Sequence, residues 1–203
     1  MIIVDCIQGT PEWFAARLGI PTASNFGKIF TSAGKHSTSR NGYADCLLAD
    51  YLAGKPVDQM ESTHWMERGN ELEQQARDNY SFETGNEVDQ IGFVYLDVKQ
   101  TTGASPDGLI GDDGMVEIKC PKASTLVGYY GKDCPAKYVP QVQGQLWICE
   151  REWCDFYAYH PLLLPVLVRV ERDEKYIKLL AEAVAEFVEY LNKRKKALKK
   201  WRM

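Results

Sequence analysis

The stretch Ser105-Pro106-Asp107-Gly108-Leu109-Ile110-Gly111-Asp112-Asp113-Gly114-Met115-Val116-Glu117-Ile118-Lys119-Cys120-Pro121 decides how this chain folds. Gly111-Asp112-Asp113-Gly114 carries turn chemistry, and the β-forming residues after it mark Met115 to Cys120 as a strand. The segment therefore reads as a hairpin that contains Asp107 and Glu117. Side chains alternate along a strand, so Glu117 and Lys119 leave one face while Ile118 leaves the other, toward the core. Met115, Val116 and Ile118 make the strand a buried one, and ionised groups on a buried strand need partners. Asp107, at a strand end, reaches the same point, so two carboxylates and an ammonium converge.

That set suits the hydrolysis of a phosphodiester. Hard oxygen ligands take Mg²⁺, the ion polarises the phosphate and lowers the pKa of its water, and Lys119 orients or deprotonates that water. Acyl transfer is not indicated, because no Gly-x-Ser-x-Gly elbow or Cys/His pair accompanies the triplet. A Gly-x4-Gly-Lys-Ser/Thr nucleotide loop is also missing from the sequence. Taken alone, Glu-x-Lys is a weak signal, common on solvated strands.

Working outward, the 203 residues suffice for one domain, 1–203, with its own apolar core. Hydrophobic residues make up 45% and charged residues 26%, which argues against disorder and against a fibrous repeat. The opening Met1 to Cys6 run is too short for a signal-peptide core and no apolar stretch could span a bilayer, so a soluble, cytoplasmic protein without a membrane partner is expected. The six cysteines form no Cys-x-x-Cys pair, which leaves free, mostly buried thiols as the expectation. Three scattered histidines (His36, His64, His160) make a histidine metal site improbable, so any metal must be held by oxygen. The formal net charge of −4 counts against a chain that coats nucleic acid. Seven of the last eleven residues are nevertheless basic, as a helix end favoured by its dipole or as a DNA-facing tail.

The remaining elements follow from caps and periodicity. Thr10-Pro11-Glu12 starts a short helix that Gly19 ends, Thr22 to Phe26 begins a second, and Thr31 to Gly42 reads as a mobile loop. Helices are expected over Tyr43 to Leu52, Thr63 to Phe82 and Pro140 to Cys149, with a long amphipathic one capped by Asp173. Strands are expected over Val88 to Leu96, Thr101 to Ser105, Trp153 to His160 and Val166 to Val170. The class is mixed α/β: a central mixed sheet with helices on both sides and the terminal helix across it.

Taken together, five ordered motifs resemble the bacteriophage lambda exonuclease family of the restriction-endonuclease-like PD-(D/E)xK nucleases. They are Arg17-Leu18-Gly19-Ile20-Pro21-Thr22-Ala23-Ser24, Arg68-Gly69-Asn70-Glu71-Leu72-Glu73-Gln74-Gln75-Ala76-Arg77, Ser105-Pro106-Asp107-Gly108, Glu117-Ile118-Lys119-Cys120-Pro121 and Gln141-Val142-Gln143-Gly144-Gln145-Leu146-Trp147. Glu171 to Tyr176 has a counterpart as well. The resemblance implies a restriction-endonuclease-like core and a two-ion centre for Mg²⁺, with Mn²⁺ as a substitute. Asp107, Glu117 and the carbonyl of Ile118 would hold one ion, and Glu73 would share the second with Asp107. Lys119 would position the nucleophile, and Gln141 would hydrogen-bond near the water. Arg17 and Ser24 would grip a terminal 5′-phosphate. A basic contact that the family carries just past Cys120-Pro121 has no match in Lys122-Ala123-Ser124-Thr125-Leu126, so Lys122 and Lys132 stand as alternatives and the contact is unassigned.

The activity so implied is 5′-to-3′ exonuclease action on double-stranded DNA ends, releasing mononucleotides and leaving a 3′ overhang for recombination. The partners implied are a homotrimeric ring around DNA and a single-strand annealing protein. Two other readings stay open: an endonuclease of the same core, and a catalytically inert module that binds DNA ends. A variant of the core carrying an iron–sulfur cluster is disfavoured by the cysteine spacing.

Overall fold

A computed structural model of the chain describes residues 1–57 and 64–201, the side chains of 64–71 excepted. The expected hairpin is present as β4 (Gly108–Ile110) and β5 (Gly114–Lys119), antiparallel with Gly108 opposite Val116 and Ile110 opposite Gly114. β6 (Trp153–His160) runs parallel to β5, and β7 (Leu163–Glu171) returns antiparallel to β6. The sheet is therefore mixed, in the order β4-β5-β6-β7. A parallel pair needs a crossover connection. It is supplied here by α4 (Ala123–Val127) and α5 (Val139–Ile148), which brings α5 close to β5.

A second, three-stranded sheet was not expected. β1 (Ile2–Val4), β2 (Phe93–Tyr95) and β3 (Gly103–Ala104) pair antiparallel in that order. The strands expected over 88–96 and 101–105 are thus present but short. Asp89 leaves the second sheet to pair with Leu109 of the hairpin, which cuts the first of them. The opening Ile2-Ile3-Val4 is β-branched throughout but too short to read as a strand alone, and its partner β2 lies far along the chain.

α1 (Pro11–Ala16) starts at Thr10, whose hydroxyl accepts the Trp13 N–H, and the chain turns at Gly19, where φ is +66°. A Cβ there would lie 3.2 Å from Cβ of Tyr51, so both the backbone and the packing favour glycine. Thr22 then opens a 3-10 helix, Ala23–Lys28, in place of the expected α-helix. α2 (Arg40–Ala53) begins before Tyr43, which shortens the loop expected over 31–42. That loop is tied by Thr31 N–H to the Lys35 carbonyl at 2.8 Å and by Ser37 N–H to the Ile29 carbonyl at 2.9 Å.

α3 (His64–Thr84) crosses near the sheet. Trp65, Met66 and the first four side chains of the Arg68 to Arg77 motif lie outside the described residues, as do Thr63 and Arg202. Tyr80 of α3 donates to the buried Asp155 at 2.7 Å and Asn79 to the Tyr157 hydroxyl at 2.6 Å, which fastens this helix to β6.

α6 (Glu174–Leu198) starts at Asp173, whose carboxylate accepts the N–H groups of Lys175 and Tyr176. Its stripe of Ile177, Leu180, Val184, Phe187 and Leu191 packs on α2 and α5. The terminal helix therefore covers other helices more than it crosses the sheet. Some of its basic residues serve packing: Arg194 pairs with Asp45, and Lys195 donates to the Gly19 carbonyl. Among the described residues the six cysteines form no disulfide, but only Cys149 and Cys154 are buried and Cys46 is exposed, so the thiols are less buried than expected. Among the described residues no helix is long and apolar enough to cross a membrane.

Candidate active site

Asp107 leads into β4, and its Oδ2 accepts the Ile118 N–H at 2.6 Å. The carboxylate is thereby tied to β5 just past the last hairpin pair. Glu117 is completely buried, and each of its oxygens is taken by an amide from one helix. Gln141 Nε2 donates to Oε1 at 2.6 Å and Gln145 Nε2 to Oε2 at 2.7 Å. Lys119, two residues along the same face of β5, forms an ion pair with Oε1. Ile118 points the other way, into a cluster with Val116, Tyr80 and Tyr157. The period-two reading of Glu117-Ile118-Lys119 thus corresponds to the observed faces.

Burial raises the Asp107 carboxyl well above the ordinary carboxylate range. The charge of Glu117 adds to the rise, Lys119 relieves part of it, and Glu73 adds a further increment. Burial alone would pull the Lys119 ammonium down, but Glu117 and Asp107 outweigh it and hold the group above its usual value. Lys119 is therefore a proton donor in this state. Glu73 is close enough for its charge to act on Asp107, yet its own carboxylate accepts from Arg77 at 2.7 Å. Among the described residues no three His, Cys, Asp and Glu side chains form a closed ligand cluster.

The donors nonetheless suit a hard cation. Asp107 and Glu117 are two desolvated carboxylates that repel one another, and neutral amides orient one of them without cancelling its charge. Gln145 Oε1 is buried beside them without a partner among the described residues, an acceptor of the kind that water or an ion satisfies. Glu73 would have to leave Arg77 to join them.

A second cluster forms around Arg17. Its guanidinium stacks 3.9 Å from the centre of the Trp13 ring and reaches the hydroxyls of Thr22 at 3.4 Å and Ser24 at 3.5 Å. Arg17 and Ser24 are thus brought together, but apart from the carboxylates. Burial lowers the Arg17 pKa, and hydroxyls with an aromatic face replace the carboxylate that a surface salt bridge would supply. A groove of about 1460 Å³ is lined by Trp13, Arg17, Thr22, Tyr43, Glu73 and Arg77, and so joins the Arg17 cluster to α3.

Sequence reasoning assigned no role to Gln145, Trp13 or Thr22. Gln145 was legible in one respect, since Gln141-x-x-x-Gln145 places two amides on one helical face. Trp13 was not: its indole N–H donates to Ser105 Oγ at 2.8 Å, a contact between residues far apart in the chain. Gly144 lets the 3-10 helix approach α5, because a Cβ there would fall 2.4 Å from the Phe26 ring. Arg172 donates to the Leu146 carbonyl at 2.6 Å and so caps the far end of α5. The Glu171 to Tyr176 motif thereby supports the helix that carries both amides.

A mixed sheet flanked by helices, on which this hairpin sits, has the fold of an alkaline exonuclease of known structure. The chain matches the crystal structure of an alkaline exonuclease, LHK-Exo, from Laribacter hongkongensis with a TM-score of 0.84 and 37% identity, over 94% of this chain and 97% of that one. The crystal structure of LHK-Exo in complex with dAMP gives the same TM-score at 38% identity, with the same coverage of both chains. A phage related exonuclease from Haemophilus somnus shares the fold alone, with a TM-score of 0.67 and 16% identity over 88% of this chain and 96% of that one.

The model of the YqaJ-like viral recombinase domain matches residues 12–152, a span that contains the Arg17 cluster, Glu73, Asp107, Glu117, Lys119, Gln141 and Gln145, and the chain belongs to that family. An uncharacterized protein of Acanthamoeba polyphaga mimivirus is 30% identical over 164 residues, 73% of this chain. The chain spans only 28% of that relative's length. The resemblance to the lambda exonuclease family thus stands.

Proposed function

We propose that this protein is a divalent-metal-dependent exonuclease that degrades the 5′-ended strand of duplex DNA, releases 5′-mononucleotides and leaves a 3′ single strand for annealing. The observation that carries the reading is the convergence of Asp107, Glu117 and Lys119 at one buried point. Its support is a chain more than a third identical, along nearly its whole length, to an alkaline exonuclease.

Asp107, Glu117 and the Ile118 carbonyl would hold one Mg²⁺, and Glu73 with Asp107 a second. Such ions supply polarisation of the phosphate and acidification of water. The chain's own groups do the rest. Gln141 and Gln145 fix the orientation of Glu117. Lys119, kept protonated by the two carboxylates, donates a hydrogen bond that orients the attacking water and offsets charge on the phosphate. Arg17, with Thr22 and Ser24, offers a guanidinium and hydroxyls to a terminal 5′-phosphate, an anion suited to a desolvated cation that has no carboxylate partner among the described residues. A homotrimeric ring around the duplex and a single-strand annealing partner belong to the same reading and rest on the family resemblance.

The test is a linear duplex with a 5′-phosphate on only one strand, incubated with Mg²⁺ and with each strand followed separately. Loss of the phosphorylated strand to mononucleotides, abolished by EDTA, is the expected result. Internal cuts in a covalently closed circle would turn the reading to an endonuclease, and duplex binding without product would turn it to an inert end-binding module.

A further inference from the structure

Two amides on α5 are equally buried and differ in what they are bonded to. Gln143 is 4% exposed and its bonds go to main-chain groups: Nε2 donates to the Glu171 carbonyl at 2.8 Å and Oε1 accepts the Asp173 N–H at 2.9 Å. It ties α5 to the start of α6. Gln145 is 1% exposed and its bonds go to the carboxylate centre. Nε2 donates to Glu117 Oε2 at 2.7 Å and, at 3.4 Å, to the carbonyl of Ser105, two residues before Asp107. Its Oε1 is buried and has no partner among the described residues. An unmet acceptor in a core is costly, and leucine or methionine would fill the same space without it.

We propose that Gln145 is a positioning residue of this centre, which fixes Glu117 for a hard divalent cation and offers its own carbonyl oxygen to a water in that cation's shell. The proposal rests on the metal-dependent reading above. An amide suits the position for two reasons. It orients Glu117 by a directional bond without placing a second cation beside Lys119 on that carboxylate, and so leaves negative charge at the centre for the ion. It also spans the Ser105 backbone and Glu117, and so couples the segment that carries Asp107 to the strand that carries Glu117. Mg²⁺ and its substitutes keep several waters, and each needs an acceptor inside a buried site. Partners of this kind behind a metal ligand typically change ion affinity by about 10- to 100-fold.

The experiment is calorimetric titration of Mn²⁺ into the whole protein without DNA, together with thermal unfolding, for the parent, Gln145→Leu, Gln145→Met and Gln143→Leu. The expected result is an Mn²⁺ affinity lowered about tenfold or more by both Gln145 variants, with unfolding temperatures at or above the parent's. Gln143→Leu should lower the unfolding temperature and leave the Mn²⁺ affinity in place. Parent-like affinity in Gln145→Leu or Gln145→Met overturns the proposal. So does the failure of both to fold, since Gln145 would then be a structural amide like Gln143. A parent that takes up no Mn²⁺ would instead remove the metal-dependent reading, so the two failures are distinguishable.

Discussion

The carboxylate centre and the Arg17 cluster follow opposite electrostatic plans. At the centre, Asp107 and Glu117 stand against Lys119, and every charge has a partner of opposite sign within the same hairpin. Around Arg17 the positive charge is partly desolvated and rests on an indole face and two hydroxyls. The first arrangement has an excess of negative charge and gains from a cation. The second has an excess of positive charge and gains from an anion. A metal-assisted cut beside a 5′-phosphate needs one of each.

The largest expected effect breaks the first plan. Asp107→Asn should lower strand degradation at least about 10³-fold in saturating Mg²⁺, measured by release of labelled mononucleotides. Lys119→Ala should cost about 10²- to 10⁴-fold in turnover while duplex affinity in Ca²⁺ stays near the parent's; equal loss in both would make Lys119 a binding residue. A smaller effect tests the second plan. Arg17→Ala should shrink the preference for phosphorylated over hydroxyl ends by about 10- to 100-fold, the worth of a hydrogen bond to a charged group, and an unchanged preference would detach Arg17 from the 5′ end.

Stability sharpens the contrast further. The Asp107 pKa is raised in the folded state, so its charged form destabilises the metal-free protein above that pKa, and the penalty fades as pH falls toward the unfolded value. Metal-free Asp107→Asn should therefore unfold about 2–4 °C higher than the parent at neutral pH, and the gap should close on acidification. A gap that widened would reverse the sign of the shift. An effect of similar size but opposite sign lies between the two clusters. Trp13→Phe keeps the ring beneath Arg17 and loses only the bond to Ser105, about 1 kcal/mol, so thermal unfolding should shift by only about 2–4 °C.

Much of the centre was legible in the chain because its parts are close in sequence. Asp107, the turn at Gly111 to Gly114, and Glu117 to Lys119 form one hairpin, and the period of a strand fixes which side chains share a face. The Asp173 cap and the apolar stripe of α6 were legible for the same local reason. The second sheet was not: Ile2 to Val4 becomes a strand only because Phe93 to Tyr95 lies opposite, and β2 shortens because Asp89 pairs with Leu109. The end of the 3-10 helix and the early start of α2 depend likewise on packing against α5 and α6 rather than on propensity.

By itself, then, the sequence determined the hairpin, the face that carries Glu117 and Lys119, and the helix caps at Thr10 and Asp173. Each is a consequence of residues within a few turns or strand steps of one another. Tertiary structure alone decided that Gln141 and Gln145 divide the two oxygens of Glu117, that Glu73 accepts from Arg77, and that Trp13 joins Arg17 to Ser105. Those contacts depend on how the crossover brings α5 onto β5 and how α1 meets the loop before β4. No local pattern encodes a distance between segments so far apart in the chain, because that distance is set by the packing of every element between them.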